Sequence, residues 1–393
     1  MYKRAYFLCC ATYHLTVALY YAMQVNWENT EKILVWQNNT NAVVDKELLE
    51  KNFDTVIYIR GRDLVIYPFL EQQRYKIVNA GWLFRFSKIG KMLHEMPNGN
   101  AVFLFNDTTR LTDKVVLEFG KRESNKIILV EEGTGTYHYR QSKLNIKTRI
   151  GNLLCGQKAE PFIGANPYID TVIARNVHEL PDYQTSNRRT IQQSQLFFDS
   201  IWTKKLIEIV KESLDLYIQN GDKKVALWIG EPLSPSLISA EKENEILDFI
   251  FAEIAKKYVV LVKMHPREDR NKYDSFSEKY SVEIIIDERL SWFPVEILAN
   301  VINPDIVLTP LSSALNGIMP SIKAAYCYKL FQIETSNRNI TDLIKRRENT
   351  YIIDNKEEVD DILEKDTIDS DNSKGFGINT DQDMLFIQNN IVE

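Results

Sequence analysis

Tyr258-Val259-Val260-Leu261-Val262-Lys263-Met264-His265-Pro266-Arg267-Glu268-Asp269 reads as a buried strand that runs into a polar turn. The segment from Tyr258 to Val262 is apolar and mostly β-branched, the composition of a strand covered on both faces in a parallel sheet. A helix precedes it. Between 241 and 256, apolar residues recur at helical spacing: Ile246, Leu247, Ile250, Phe251 and Ile254. Before that helix lies a second short apolar run, KVALWI at 224–229. Strand, helix, strand is the repeating unit of a doubly wound α/β sheet.

The pattern continues in both directions. Downstream, strands are expected at 282–286, 305–309 and 324–328. Upstream they are expected at 4–10, 32–37, 55–59, 101–105 and 126–130, with a helix at 14–24 after the first. The polar stretch 180–195 falls between the two series and reads as an inter-domain linker. The predicted architecture is two Rossmann-like doubly wound domains, 1–190 and 200–335, facing each other across a cleft. A C-terminal tail, 336–393, is acidic from 355 onward and is expected to be solvated, with a helix near 381–391. The length of 393 residues fits two domains, because one hydrophobic core seldom grows past about 250 residues.

Composition narrows the function classes. Hydrophobic residues make up 44% and charged residues 26%, as in a globular protein. The net charge of −6 argues against a nucleic-acid partner held by a global basic field. Cys9, Cys10, Cys155 and Cys327 match neither zinc nor disulfide spacing, and read as thiols of a reducing compartment. Lys3 and Arg4 precede a mostly apolar run, but Thr12, Tyr13 and His14 interrupt it and no cleavage site follows. With no apolar run of membrane-spanning length, a cytoplasmic protein is expected.

In doubly wound sheets, ligands sit beyond the carboxyl ends of the strands. Five such ends carry polar chemistry here. Strand 126–130 runs into Glu131-Glu132-Gly133: two carboxylates, one raising the pKa of the other, with a glycine that lets substrate approach. The plain alternative is a solvated acidic turn. Strand 258–263 runs into His265-Pro266, with Pro266 suited to a helix first turn and His265 near its N-cap. A helix N-terminus attracts phosphate, so His265 is placed to protonate a phosphate leaving group, with charge from Lys263 or Arg267. A structural turn would need no such role. Strand 305–309 leads to Ser312-Ser313, which can cap a helix, cradle an anion, or do both. Glu296 opens a helix after Pro294; it suits a ribose diol, or simply a favourable acid in a first turn. Strand 224–229 ends in Gly230-Glu231, where Gly230 would allow a nucleotide close to the backbone.

The order of these motifs resembles the bacterial sialyltransferases of glycosyltransferase families 52, 38 and 80, of lipooligosaccharide, capsule or polysialyltransferase type. Glu131-Glu132-Gly133, His265-Pro266 and Ser312-Ser313 carry the likeness, and Thr12-Tyr13-His14-Leu15 also resembles families 52 and 38. It spans about residues 5 to 320. The resemblance implies a GT-B fold and an inverting transfer from CMP–sialic acid to a galactose- or sialic-acid-terminated surface glycan, with no cofactor and no metal. It implies Glu131 or Glu132 as base and His265 as the group that meets the departing phosphate. Gly230, Glu231, Lys263, Pro266, Glu296, Ser312 and Ser313 would hold the donor. Thr12, Tyr13, His14 and Gly133 would meet the acceptor. Glu stands where Asp is common in the first motif, which leaves the base open between Glu131 and Glu132. Family 52 also admits a base nearer the His-Pro motif, which keeps Glu231 as a third candidate.

A phosphate-bearing leaving group needs no divalent ion if dipoles and a few donors receive its charge. The Asp-x-Asp strings at Asp369-Ser370-Asp371 and Asp381-Gln382-Asp383 fall in the polar tail and are expected to face solvent. The stretch from Tyr137 to Arg149 holds four fixed positive charges and no acid, which suits an anionic glycan or the cytoplasmic face of the inner membrane. A second copy of the chain is a further conceivable partner. Two other functions fit the same motifs: a GT-B enzyme with another nucleotide sugar, and a non-catalytic glycan-binding protein.

Overall fold

The computed structural model describes residues 4–37, 44–59, 99–108, 110–132, 134–137, 162–194, 208, 212, 224–235, 237–265, 268–269, 271–285, 290, 293–319, 321–333, 349–367 and 382–392. The chain divides into two compact units. The first joins Met1–Asn39, Asp45–Gln195 and Asn379–Glu393, and the second takes in Thr40–Val44 and Leu196–Ile378.

The first unit is built on strands β1 (Arg4–Cys9), β2 (Glu31–Gln37), β3 (Thr55–Ile59), β4 (Asn100–Leu104), β5 (Lys126–Val130), β6 (Thr171–Ala174) and β7 (Arg189–Gln192). They form one parallel sheet in the order β3-β2-β1-β4-β5-β6-β7. Helices α1 (Thr12–Gln24), α2 (Lys46–Asn52) and α3 (Arg110–Phe119) follow β1, β2 and β4, and a single turn, α4 (Asp182–Thr185), precedes β7. One face of the sheet packs Val115, Val116 and Phe119 of α3 against Tyr6, Val102 and Ile127. On the other, Phe7 stacks on Phe103 at 4.7 Å, with Trp27 edge-on to both.

The second unit holds β8 (Lys224–Ile229), β9 (Tyr258–Lys263), β10 (Glu283–Ile284), β11 (Ile306–Thr309), β12 (Lys323–Tyr326) and β13 (Thr350–Ile352). These too are parallel, in the order β10-β9-β8-β11-β12-β13. Helix α5 (Ala240–Ile254) starts at Ser239, whose hydroxyl accepts the Lys242 N–H at 3.3 Å. It buries Ile246, Leu247, Ile250, Phe251 and Ile254, the periodic face expected of it. Helices α6 (Asp274–Tyr280), α7 (Val295–Ile302) and α8 (Glu358–Glu364) complete this unit.

The two ends of the strands have different chemistry. At the amino ends, side chains close the ladder: Asp54 accepts Lys32 N–H, Asp170 accepts Ile127 N–H and Asp305 accepts Val225 N–H, each at 2.7 Å. These carboxylates fix register and are spent on backbone. The carboxyl ends keep the polar residues singled out above.

Three expectations need correction. The stretch 180–195 is not a linker alone: it contains α4 and β7, and β7 is the outer strand of the first sheet. The tail 336–393 is not one element either. Strand β13 extends the second sheet and α8 packs on α5, while α9 (Gln382–Ile387), continued by a wider turn (Gln388–Val392), belongs to the first unit beside β7. Finally, Asp383 does not face solvent. It is fully buried and accepts hydrogen bonds from Tyr21 Oη at 2.9 Å and Ser194 Oγ at 3.1 Å. Asp369, Ser370, Asp371 and Asp381 lie outside the described residues. No helix among the described residues is long and apolar enough to cross a membrane.

Asp383 joins the last helix to the first and to the segment just after β7. Asp383→Ala leaves two buried hydroxyls without an acceptor, which costs about 1–3 kcal/mol each. A fall in the denaturation midpoint of the full-length chain, larger than that of an exposed control such as Asp360→Ala, is the expected result.

Candidate functional site

Each sheet reverses its winding next to its first strand. The reversal lies between β1 and β4 in the first sheet and between β8 and β11 in the second. Loops diverge at such points and leave a crevice beyond the carboxyl ends. Several of the predicted residues follow the strands at these positions: Thr12, Tyr13 and His14 after β1, Gly230 and Glu231 after β8, and Ser312 after β11.

In the first unit, β5 delivers Glu131 and Glu132 side by side, but alternation turns them into different surroundings. Glu131 is 1% exposed. One oxygen receives Arg175 Nε at 2.7 Å and Nη2 at 2.5 Å; the other receives the Arg175 backbone N–H at 2.7 Å and the Tyr137 hydroxyl. Burial and the adjoining carboxylate push the Tyr137 phenol up, so it stays a donor. Glu131 is a structural anion with both oxygens occupied.

Glu132 is the reachable one. Its side chain is 29% exposed, accepts Asn106 Nδ2 at 2.5 Å and lies 3.6 Å from His14 Nε2. Asn106 follows β4 and is itself fixed, since its oxygen accepts the Thr108 N–H at 2.7 Å and the Thr108 hydroxyl at 2.6 Å. His14 sits in the first turn of α1, 1% exposed and stacked on Phe105 at 4.5 Å. The Cys10 N–H reaches His14 Nδ1 at 3.2 Å and puts the neutral ring's proton on Nε2, toward Glu132. Burial opposes a second proton, but Cys10 and Glu132 outweigh it and lift the His14 pKa to about 9. Cys10 Sγ, 3.4 Å from Nδ1, can then accept from the protonated ring.

The same turn carries Thr12, whose carbonyl accepts Thr16 Oγ1, and Tyr13, whose ring lies 5.8 Å from the Arg175 guanidinium. Asn106 and Arg175 were not among the sequence candidates. Arg175 directly follows a strand too short to recognise, and Asn106 was legible only as the first polar residue after β4. Gly133 and residues 138–149 of the basic stretch lie outside the described residues.

In the second unit, His265 follows β9, and its backbone is held by Glu268. Glu268 Oε2 accepts the His265 N–H at 2.7 Å, and the Glu268 N–H donates to the His265 carbonyl at 2.9 Å. The Glu268 side chain is 1% exposed and also accepts Lys272 Nζ at 2.6 Å and Tyr273 Oη at 2.9 Å. Lys272 donates further to the Glu231 carbonyl at 3.1 Å and to Glu243, which accepts the Ser234 N–H at 3.2 Å. The network therefore ties the loop after β8 to the loop after β9.

Gly230 has another use than the one expected. A Cβ there would collide with Glu268 Oε2 and stand 2.9 Å from Tyr273 Oη, so the missing side chain makes room for this network. Lys263 is buried at the end of β9, and desolvation lowers its pKa to about 8. Ser312 follows β11; its hydroxyl accepts the Ala314 N–H at 3.3 Å and caps the short 3-10 turn Ser313–Gly317. Glu296 stands in the first turn of α7, part-exposed. Pro266 and Arg267 lie outside the described residues, and the Ser313 side chain is not described. Among the described residues no three His, Cys, Asp or Glu side chains are grouped to hold a metal.

The model of the alpha-2,8-polysialyltransferase (POLYST) family matches residues 6–329. The chain belongs to this family. It is therefore a glycosyltransferase of sialyltransferase type, as the motifs implied. No curated protein matches it in sequence. Among solved structures, it resembles the GT-B domain of a sialyltransferase from Photobacterium damselae: 13% identity, TM-score 0.50, over 90% of this chain and 100% of that one. It also resembles the UDP-GlcNAc 2-epimerase of Methanocaldococcus jannaschii, at 13% identity and TM-score 0.57 over 97% and 98% of the two chains. A Medicago truncatula protein complexed with UDP-glucose gives 11% identity and a TM-score of 0.51, over 100% and 95%. At such identities the likeness is one of fold, and it makes this polysialyltransferase-family chain an α/β protein of the GT-B class.

The adjacent glutamates should separate by stability. Glu131→Gln breaks a buried ion pair and should cost about 3–5 kcal/mol. Glu132→Gln removes a part-exposed acid and should cost less than about 1 kcal/mol; thermal unfolding at pH 7 distinguishes them. His14 supplies a pH signature. Its folded pKa, about 9, exceeds the ordinary 6.5, so its stabilising effect is complete below pH 6.5 and lost as pH rises to about 9. His14→Asn should flatten the decline of stability across that window.

Proposed function

We propose that this chain is an inverting, metal-independent sialyltransferase that moves sialic acid from CMP–sialic acid to a galactose- or sialic-acid-terminated bacterial surface glycan. The observation that carries the mechanism is the division of labour between Glu131 and Glu132. Glu131 is closed off by Arg175 and Tyr137, whereas Glu132 keeps a part-exposed carboxylate bonded to Asn106.

In this reading Glu132 takes the proton of the acceptor hydroxyl as that oxygen attacks the anomeric carbon of the donor. His14 holds the carboxylate from the other side and moderates the charge change on Glu132. Thr12 and Tyr13 meet the acceptor beside it. On the donor, the bond from the anomeric carbon to the phosphate oxygen breaks, and CMP leaves with the electron pair. His265 gives that phosphate a proton or a hydrogen bond, Ser312 and Ser313 receive its oxygens, and Glu296 binds the ribose. Lys263 lends positive charge from below. Glu231 stands on the donor side in the loop that Lys272 fastens through the Glu231 carbonyl.

A phosphate monoester is a competent leaving group once its charge is met by fixed donors, which is why the reading needs no divalent ion. The work would take place in the cytoplasm, with peripheral contact at the inner membrane where the growing glycan is anchored.

The purified full-length chain should transfer sialic acid from CMP–sialic acid to a sialylated acceptor in EDTA. Glu132→Gln should lower kcat by at least about 100-fold, the scale of losing a general base, with a melting temperature lowered much less than in Glu131→Gln. CMP should raise the melting temperature, and UDP and GDP should not. Stabilisation by UDP or GDP instead would move the chain to another donor. Binding without turnover in the wild type would make it a glycan-binding protein.

A further inference from the structure

We infer that Glu268 is the residue that positions His265 toward the donor, acting through its backbone and not on the substrate; this rests on the donor-side role of His265 proposed above. The geometry is reciprocal. Both backbone polar groups of His265 bond to Glu268, the N–H to its carboxylate at 2.7 Å and the carbonyl to its N–H at 2.9 Å. The backbone from which the imidazole projects is thereby fixed.

Glu268 has no means of touching a ligand itself. Its side chain is 1% exposed, and Lys272 and Tyr273 share its other oxygen. Nor does stability explain the arrangement. Glu243, Glu268 and Lys272 are 3%, 1% and 13% exposed, two anions against one cation. Apolar side chains of similar volume commonly stabilise a fold as well as such a buried cluster does. What apolar side chains cannot do is accept the His265 N–H while fastening the Glu231 carbonyl and, through Glu243, the Ser234 N–H. The cluster sets the loops after β8 and β9 at one spacing, and Gly230 is small so that the carboxylate fits between them.

A displacement of about 1 Å at a reacting group is enough to cost on the order of 100-fold in rate. Two near-conservative variants of the full-length enzyme therefore have opposite expected effects. Glu268→Asp keeps the charge for Lys272 but withdraws the carboxylate from the His265 N–H. Its kcat should fall about 10- to 100-fold, with a donor KM within about threefold of wild type. Glu268→Gln loses the charge and some thermal stability, but its amide oxygen still reaches the N–H, and kcat should recover to within about threefold. In a His265→Ala background, Glu268→Asp should have no further effect, because the two residues act as one unit.

A multiplicative loss in the double variant, or a Gln variant less active than the Asp variant at equal folded fraction, would overturn the Glu268 assignment and leave His265 in place. Wild-type activity in His265→Ala alone would overturn the donor-side reading itself, and the Glu268 assignment with it.

Discussion

The candidate site depends on one feature of these open sheets: the chain winds outward from a central strand on one side and then crosses over to wind on the other. In the first sheet the chain winds outward from β1 through β2 and β3, then returns to place β4 on the other side. The second sheet repeats this around β8, with β11 across from β9. The loops after β1 and β4, and after β8 and β11, therefore part from each other. Polar groups can be held there at fixed positions without being covered by a crossover helix. The amino ends have no such opening. Asp54, Asp170 and Asp305 are spent there on neighbouring strand N–H groups.

Two buried ionic networks turn those openings into defined sites. Arg175 draws Glu131 inward, and the pleat then presents Glu132 to the other side, where Asn106 and His14 orient it. The first glutamate is an anchor, and the second stays part-exposed. In the other unit, Lys272 gathers Glu243 and Glu268, and Glu268 grips the His265 backbone. In both places a buried ion pair fixes geometry, and removing one partner would leave the other charge buried and unpaired.

Much of this was legible in the sequence. Strands with four or five consecutive apolar residues, such as those within 126–130 and 224–229, stand out from their surroundings, and α5 follows from its periodicity. The Glu131-Glu132, His265 and Ser312 motifs were found because they begin where such strands stop. Strands β6, β7 and β13, of four, four and three residues, are too short to give a pattern, and β7 carries Arg189 and Gln192. The partners that decide each role were also hidden. Arg175 lies 44 residues from Glu131, and Asn106 lies 26 from Glu132. No local pattern links them; only the adjacency of β4, β5 and β6 does. The burial of Asp383 was hidden for the same reason, since its partner Tyr21 is 362 residues away.

The claim that the second sheet's opening receives the leaving group is tested most directly by a crystal structure of the full-length chain with CMP. The phosphate is expected at hydrogen-bonding distance from the His265 side chain and from Ser312, with the ribose diol on Glu296. CMP bound at another place, or a phosphate without contact to His265 or Ser312, would contradict the assignment.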